Sequence, residues 1–166
     1  MRKIAVFATC LALAACSHIP FFSKAPSSSG KAIGVVEYDT GLTKYSTVTG
    51  IYHQDMCSKA DPDAHVHLSD KEMKSILSLA DKTGFYSAPA DLTTDWSDSD
   101  DRPAHCANFR LRIESGGLHN EVRWNCMRNG SNEPPVGIAP LALQIQKILQ
   151  SKPEVRALPW SSCQVL

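Results

Sequence analysis

Beyond its first fifteen positions the sequence has no apolar run approaching the ~20 residues that a membrane-crossing helix needs. It has no excess of basic residues either, with Lys and Arg numbering 17 against 17 for Asp and Glu. Such a balance offers no positive field to hold a phosphate backbone, which excludes nucleic acid as a partner. The short signatures of familiar chemistries are missing as well. There is no G-x-S-x-G elbow to expose a nucleophilic serine, no P-loop, no dinucleotide fingerprint and no C-x-x-C pair to hold zinc. These gaps point away from an enzyme and from any bound cofactor. Paired carboxylates for sugar cleavage leave no short motif and stay open on this evidence.

What is present begins at the amino terminus. Arg2 and Lys3 supply positive charge, Ile4 to Leu13 is apolar apart from Thr9 and Cys10, and the small residues Ala14 and Ala15 lead to Cys16. That three-part build is expected of an export signal over residues 1–15 that is later removed. Leu13-Ala14-Ala15-Cys16 resembles the bacterial lipobox, in which the cysteine thiol receives a diacylglycerol and becomes the new chain start. The resemblance implies a membrane anchor at Cys16, since each buried methylene contributes about 0.8 kcal/mol and several acyl chains hold permanently. Ser17 stands where inner-membrane lipoproteins often carry Asp, which favours the outer membrane, with the domain in the periplasm. Residues 16–31, with Pro20, Pro26, Ser27-Ser28-Ser29 and Gly30, have linker composition and form the expected tether. Ile19, Phe21 and Phe22 are its apolar exceptions, readable as interfacial contacts or as a chance cluster.

Residues 32–166 form the expected single domain, long enough for a real core. Arg2 and Lys3 precede Cys16 whereas every acidic residue follows it, so the mature chain carries a net charge of −2. Four cysteines remain in it: Cys57, Cys106, Cys126 and Cys163. An even count in an exported domain favours two disulfides over a zinc site. Strand alternation turns Cys126 inward and Cys106 outward, which favours Cys126–Cys163 with Cys57–Cys106 among the three possible pairings.

The domain opens with Val35 to Tyr38, a turn at Asp39-Thr40-Gly41, and Lys44 to Thr49, a predicted hairpin bent at Gly50 and continuing to about His53. Ser69 and Glu72 make a capping box and Leu68 with Met73 a hydrophobic staple, predicting a helix over 70–83 ended by Gly84. Further on, Phe109, Leu111 and Ile113 alternate with polar residues, as do Val122, Trp124 and Cys126. A Gly116-Gly117 turn would pair Leu111 with Val122 and Phe109 with Trp124. Ile138, Leu141, Ile145, Ile148 and Leu149 then mark a second amphipathic helix, stopped before Pro153. An irregular tail over 151–166 follows, with Cys163 expected to pin it. The expected fold is α+β in the order ββαββα, an antiparallel sheet of about four strands with two helices on one face and disulfide bracing.

Two polar clusters invite a metal reading. Asp61, Asp63, His65 and His67 precede the first helix, and in a strand the two histidines would share a side and could ligate one ion. A polar loop entering a helix is the plainer account and is preferred. Asp95, Asp98, Asp100 and Asp101 suggest calcium, but the Gly and Glu that an EF-hand requires are missing, so a solvated acidic loop is preferred. His119 and Trp124 read as strand and packing residues. No metal site is assigned.

The run Leu68-Ser69, Glu72, Ile76, Leu79-Ala80-Asp81, Gly84-Phe85-Tyr86 and Pro89-Ala90 resembles a helix-to-loop pattern of the emfourin-like family, small bacterial inhibitors of thermolysin-type metalloproteases. The likeness continues through Phe109, Ile113, Gly116-Gly117, His119 and Val122-Arg123 to Pro134-Pro135 and Leu141, spanning roughly residues 33–150. It implies a ββαββα domain with relatives that bind and block other proteins. The lipobox, the four domain cysteines and the longer loops depart from that pattern, and no inhibitory residue is carried over. The expectation is a membrane-anchored periplasmic module that binds another envelope protein, with inhibition of a hydrolase as one form of that binding. The alternatives are a structural or assembly lipoprotein and a weak hydrolase or metal-binding enzyme built on the His65 and His67 cluster.

Overall fold

A computed structural model describes residues 33–57, 60–96, 106–127 and 130–164. The signal, Cys16, the tether and most of the acidic loop, with Asp98, Asp100 and Asp101, lie outside the described residues. Six strands form one antiparallel sheet: β1 (Val35–Asp39), β2 (Thr43–Ser46), β3 (Ile51–Gln54), β4 (Asp63–His65), β5 (Asn108–Ser115) and β6 (Leu118–Asn125). Their spatial order is β4-β3-β2-β1-β5-β6. Helix α1 (Asp70–Lys82) follows β4, and α2 (Ala139–Ser151) and the short α3 (Pro153–Arg156) follow β6.

The α+β class and the antiparallel sheet match expectation, while the strand count is larger than the four expected. The extra strands come from the first half. The stretch read as one bent strand folds back at residues 47–50 because Gly50, at φ 66°, takes a left-handed conformation that closes a turn, its N–H donating to Ser46 O at 2.9 Å. β3 therefore lies beside β2, with Tyr45 opposite Tyr52. β4 then pairs with β3 through His53 and Asp63, in a stretch that the sequence presents as a polar loop.

The second hairpin follows its pattern. Two glycines between β5 and β6 set Leu111 opposite Val122 and Phe109 opposite Trp124. The Phe109 and Trp124 rings stack with centroids 5.3 Å apart. Strand alternation sends Val36, Tyr38, Tyr45, Tyr52, Leu111, Ile113, Val122 and Trp124 to one face, where all are buried. Burial pushes the Tyr38 hydroxyl up to about 12, with Tyr52 adding to the effect.

The helices cover that face. In α1, the Ser69 side chain accepts from the Glu72 N–H and the Glu72 carboxylate accepts from the Ser69 N–H, so the capping box forms as expected. Met73, Ile76, Leu77 and Ala80 form its buried stripe. In α2 that role falls to Leu141, Ala142, Ile145, Ile148 and Leu149. Pro153 removes a donor and forces Lys152 into extended backbone, ψ 132°, which stops α2. Lys152 Nζ reaches Glu72 Oε2 at 2.7 Å, so the end of α2 meets the start of α1. The tail is less irregular than expected, since α3 buries Val155 and a short 3-10 turn holds Ser162–Gln164.

Both disulfides form, but not in the favoured pairing. Cys57 is bonded to Cys163 and Cys106 to Cys126, with Cα separations of 5.3 and 5.1 Å. Strand order explains the correction. Cys57 follows β3 and Cys106 precedes β5, with β2 and β1 between those strands. Three strand spacings amount to roughly 14 Å, about twice what a disulfide can bridge. Cys106 and Cys126 lie just outside the paired stretch Asn108↔Asn125, so inward-outward alternation no longer binds them and no bulge is required. Cys163 does pin the tail, to the loop after β3.

Candidate functional site

The face of the sheet opposite the helices is the most chemically organised surface of the domain. The alternation that buries the apolar residues places Glu37 and Asp39 of β1, Lys44 of β2, His53 of β3, Arg110, Arg112 and Glu114 of β5, and Glu121 and Arg123 of β6 on the other side. Among the described residues, no helix covers this side.

Its charges alternate in sign across neighbouring strands. Glu37 Oε2 lies 3.6 Å from Arg110 and 3.4 Å from Arg112, and Arg110 continues to Glu121 at 3.3 Å. Glu121 holds Arg123 through two bonds, at 2.6 and 2.9 Å, and Arg112 also pairs with Glu114. Partial burial would raise the Glu121 carboxyl, but the Arg123 and Arg110 guanidiniums outweigh it and hold the group below its ordinary value. Arg112 is held more basic than usual by Glu114 and Glu37. Beside this network, Glu37, Asp39, Lys44, His53 and Arg110, together with Ile51, line a shallow depression.

The β6 edge of the sheet is occupied. Leu92 N–H donates to Arg123 O at 2.8 Å and Arg123 N–H to Ala90 O at 2.9 Å. The Asn120 amide donates to Phe85 O and Ala88 O, and the Asn125 amide both accepts from and donates to Thr94. A chain segment thus runs along this edge and occupies its ladder at Arg123.

The residues singled out from sequence fall into three places. Asp61 and Asp63 converge on His53 instead of on His65 and His67. His53 Nδ1 lies 2.8 Å from Asp63 Oδ1 and Nε2 lies 3.7 Å from Asp61 Oδ2. Asp61 Oδ1 also accepts from the Met56 N–H at 2.9 Å, which organises the loop after β3. Opposite edges of the ring are engaged, an arrangement of polar contacts rather than a shared ligand point. Sequence reasoning passed over His53, and the signal that would have found it is its register with Asp63. His65 and His67 are both exposed.

Asp55, Cys57 and Cys163 place ligand-type atoms within 4.8 Å of one another, but the two sulfurs are bonded together, which removes the thiolates that a metal would need. Asp91 is tied to the Thr93 hydroxyl and N–H, which hold its carboxyl low. Trp124 is buried against Phe109 and serves packing. No family model, no curated protein and no solved structure matches this chain.

Proposed function

We propose that this chain is a lipid-anchored protein of the bacterial cell envelope, its domain binding another protein through the sheet face opposite the helices. The single observation that carries the reading is that face: alternating carboxylates and guanidiniums, already held in place by one another, on a rigid sheet. Preformed charge patterns of this kind give register and selectivity to a protein contact. Arginine suits such a surface because its planar fork engages carboxylates at fixed geometry. Two disulfides suit an oxidising compartment, and the lipobox-like Cys16 supplies the address. The likeness to emfourin-type inhibitors gives the partner class, a secreted or periplasmic hydrolase.

The test is co-purification from solubilised membranes with the parent chain and with Arg112→Glu. Reversing that charge sets three carboxylates against each other at the centre of the face. The expected result is a specific partner whose recovery falls at least tenfold with the variant, while its unfolding midpoint stays above physiological temperature. Equal recovery of the same partner by both chains would overturn the assignment of the face.

A further inference from the structure

Three exposed apolar side chains stand together at one end of the sheet. Ile33, just before β1, is 37% exposed, Val48 in the β2–β3 turn is 69% exposed, and Leu118 at the start of β6 is 54% exposed. The register makes them level. Ser46 opposes Glu37, which brings Val48 alongside Val35, while Val35 opposes Glu114 and Leu118 opposes Ser115. Ser115 Oγ donates to Ile33 O at 3.3 Å, fixing Ile33 next to the β5–β6 turn. In the strand order β1 and β5 lie between β2 and β6, so Val48 and Leu118 stand about three strand spacings, roughly 14 Å, apart with Ile33 between them. One such residue on a surface needs no account, but three spread along one end of the sheet give that end an apolar rim.

This is also the end at which the chain enters the domain. Residues 16–31 separate Cys16 from the domain, and a coil of that length has a root-mean-square reach of roughly 22 Å. Resting on the reading of Cys16 as the lipid-bearing residue, we propose that this end is a membrane-seating surface. Val48 and Leu118, with Ile33 between them, enter the interfacial layer of the bilayer that holds Cys16. The tether points to the occupant, because it keeps a lipid surface within reach of these tips at high local concentration. Glu114 and His119 face each other at the same end, so the contact is driven by the apolar tips rather than by a cationic patch. Seated this way, the strands stand off the membrane. Trp160, 91% exposed and next to Pro159, whose carbonyl takes the Gln54 amide at 2.7 Å, lies at the far end.

The test uses the full-length acylated chain in vesicles of phosphatidylcholine brominated high in the acyl chain. Val48→Trp and Leu118→Trp are compared with the parent, in which the native Trp96, Trp124 and Trp160 give the baseline emission. Flotation with the vesicles is scored separately. The expected result is flotation of all three chains, at least twofold quenching of the emission that each added tryptophan contributes, and less than a tenth loss in the parent. Flotation without quenching of either added tryptophan overturns the seating surface and leaves the anchor standing. Failure of the parent to float overturns the anchor and the seating surface together.

Discussion

The carboxylate of Glu72 accepts from the Ser69 N–H at 2.7 Å and from the Ser69 hydroxyl at 2.8 Å, and it meets Lys152 Nζ at 2.7 Å. Burial would raise its pKa, but Lys152 and Ser69 outweigh that and hold it below the ordinary 4.5. The unfolded chain therefore takes up this proton at a higher pH than the folded one. The stability the group contributes is complete above pH 4.5 and is lost as pH falls through the lower folded value. Glu72→Gln keeps an acceptor for the cap but loses the charge. It should cost about 1 kcal/mol at neutral pH and flatten the acid limb of the stability curve, as read by urea unfolding at several pH values. Half of this arrangement was legible in the sequence. Ser69 and Glu72 are three residues apart and declare their box locally, whereas Lys152 is 80 positions away from Glu72 and nothing local announces it. His53 was missed for the same reason, since its partner Asp63 is brought to it by the pairing of β3 with β4.

Elements were readable where one local signal set both ends. The two-residue glycine turn fixes the register of β5 and β6, and the alternation of Phe109, Leu111 and Ile113 then predicts the buried side. The β2–β3 hairpin was misread because its four-residue turn, Thr47-Val48-Thr49-Gly50, keeps the β-branched composition of a strand. Only the left-handed Gly50 breaks the run. A different glycine constrains how β1 meets β5. A Cβ on Gly34 would sit 2.5 Å from Glu114 O, and backbone cannot yield as a side chain does. Gly34→Ala should push the first residues of β1 off β5 and cost about 1–3 kcal/mol. Hydrogen exchange checks this directly, with faster exchange expected at Val35 and Glu114 and little change at the β2–β3 pairing.

At the scale of the whole molecule, the α+β class was legible from patterning, but the order of strands in the sheet was not. That order decides which cysteines can meet, and without it Cys57 was matched to Cys106, about three strand spacings away. Sequence separation between bonded partners is 106 for Cys57–Cys163 and 20 for Cys106–Cys126. The chain-entropy model gives about 4.8 kcal/mol for the longer loop and about 3.3 kcal/mol for the shorter. Replacing both members of a pair by serine should therefore destabilise the domain more when Cys57 and Cys163 go, by roughly 1.5 kcal/mol, measured by urea unfolding of the two double variants.

The long closure also has a consequence in time. Under the proposed export from the amino terminus, Cys57 would arrive well before Cys163, with Cys106 in between. A sulfur committed to the last cysteine must stay reduced, or be released from a premature bond, until nearly the whole polypeptide has crossed. Oxidation in order of arrival would join the first two cysteines, so correct maturation calls for a disulfide isomerase as well as an oxidase. Cells lacking the isomerase should accumulate a misbridged species while still sealing Cys106 to Cys126 in part of the population.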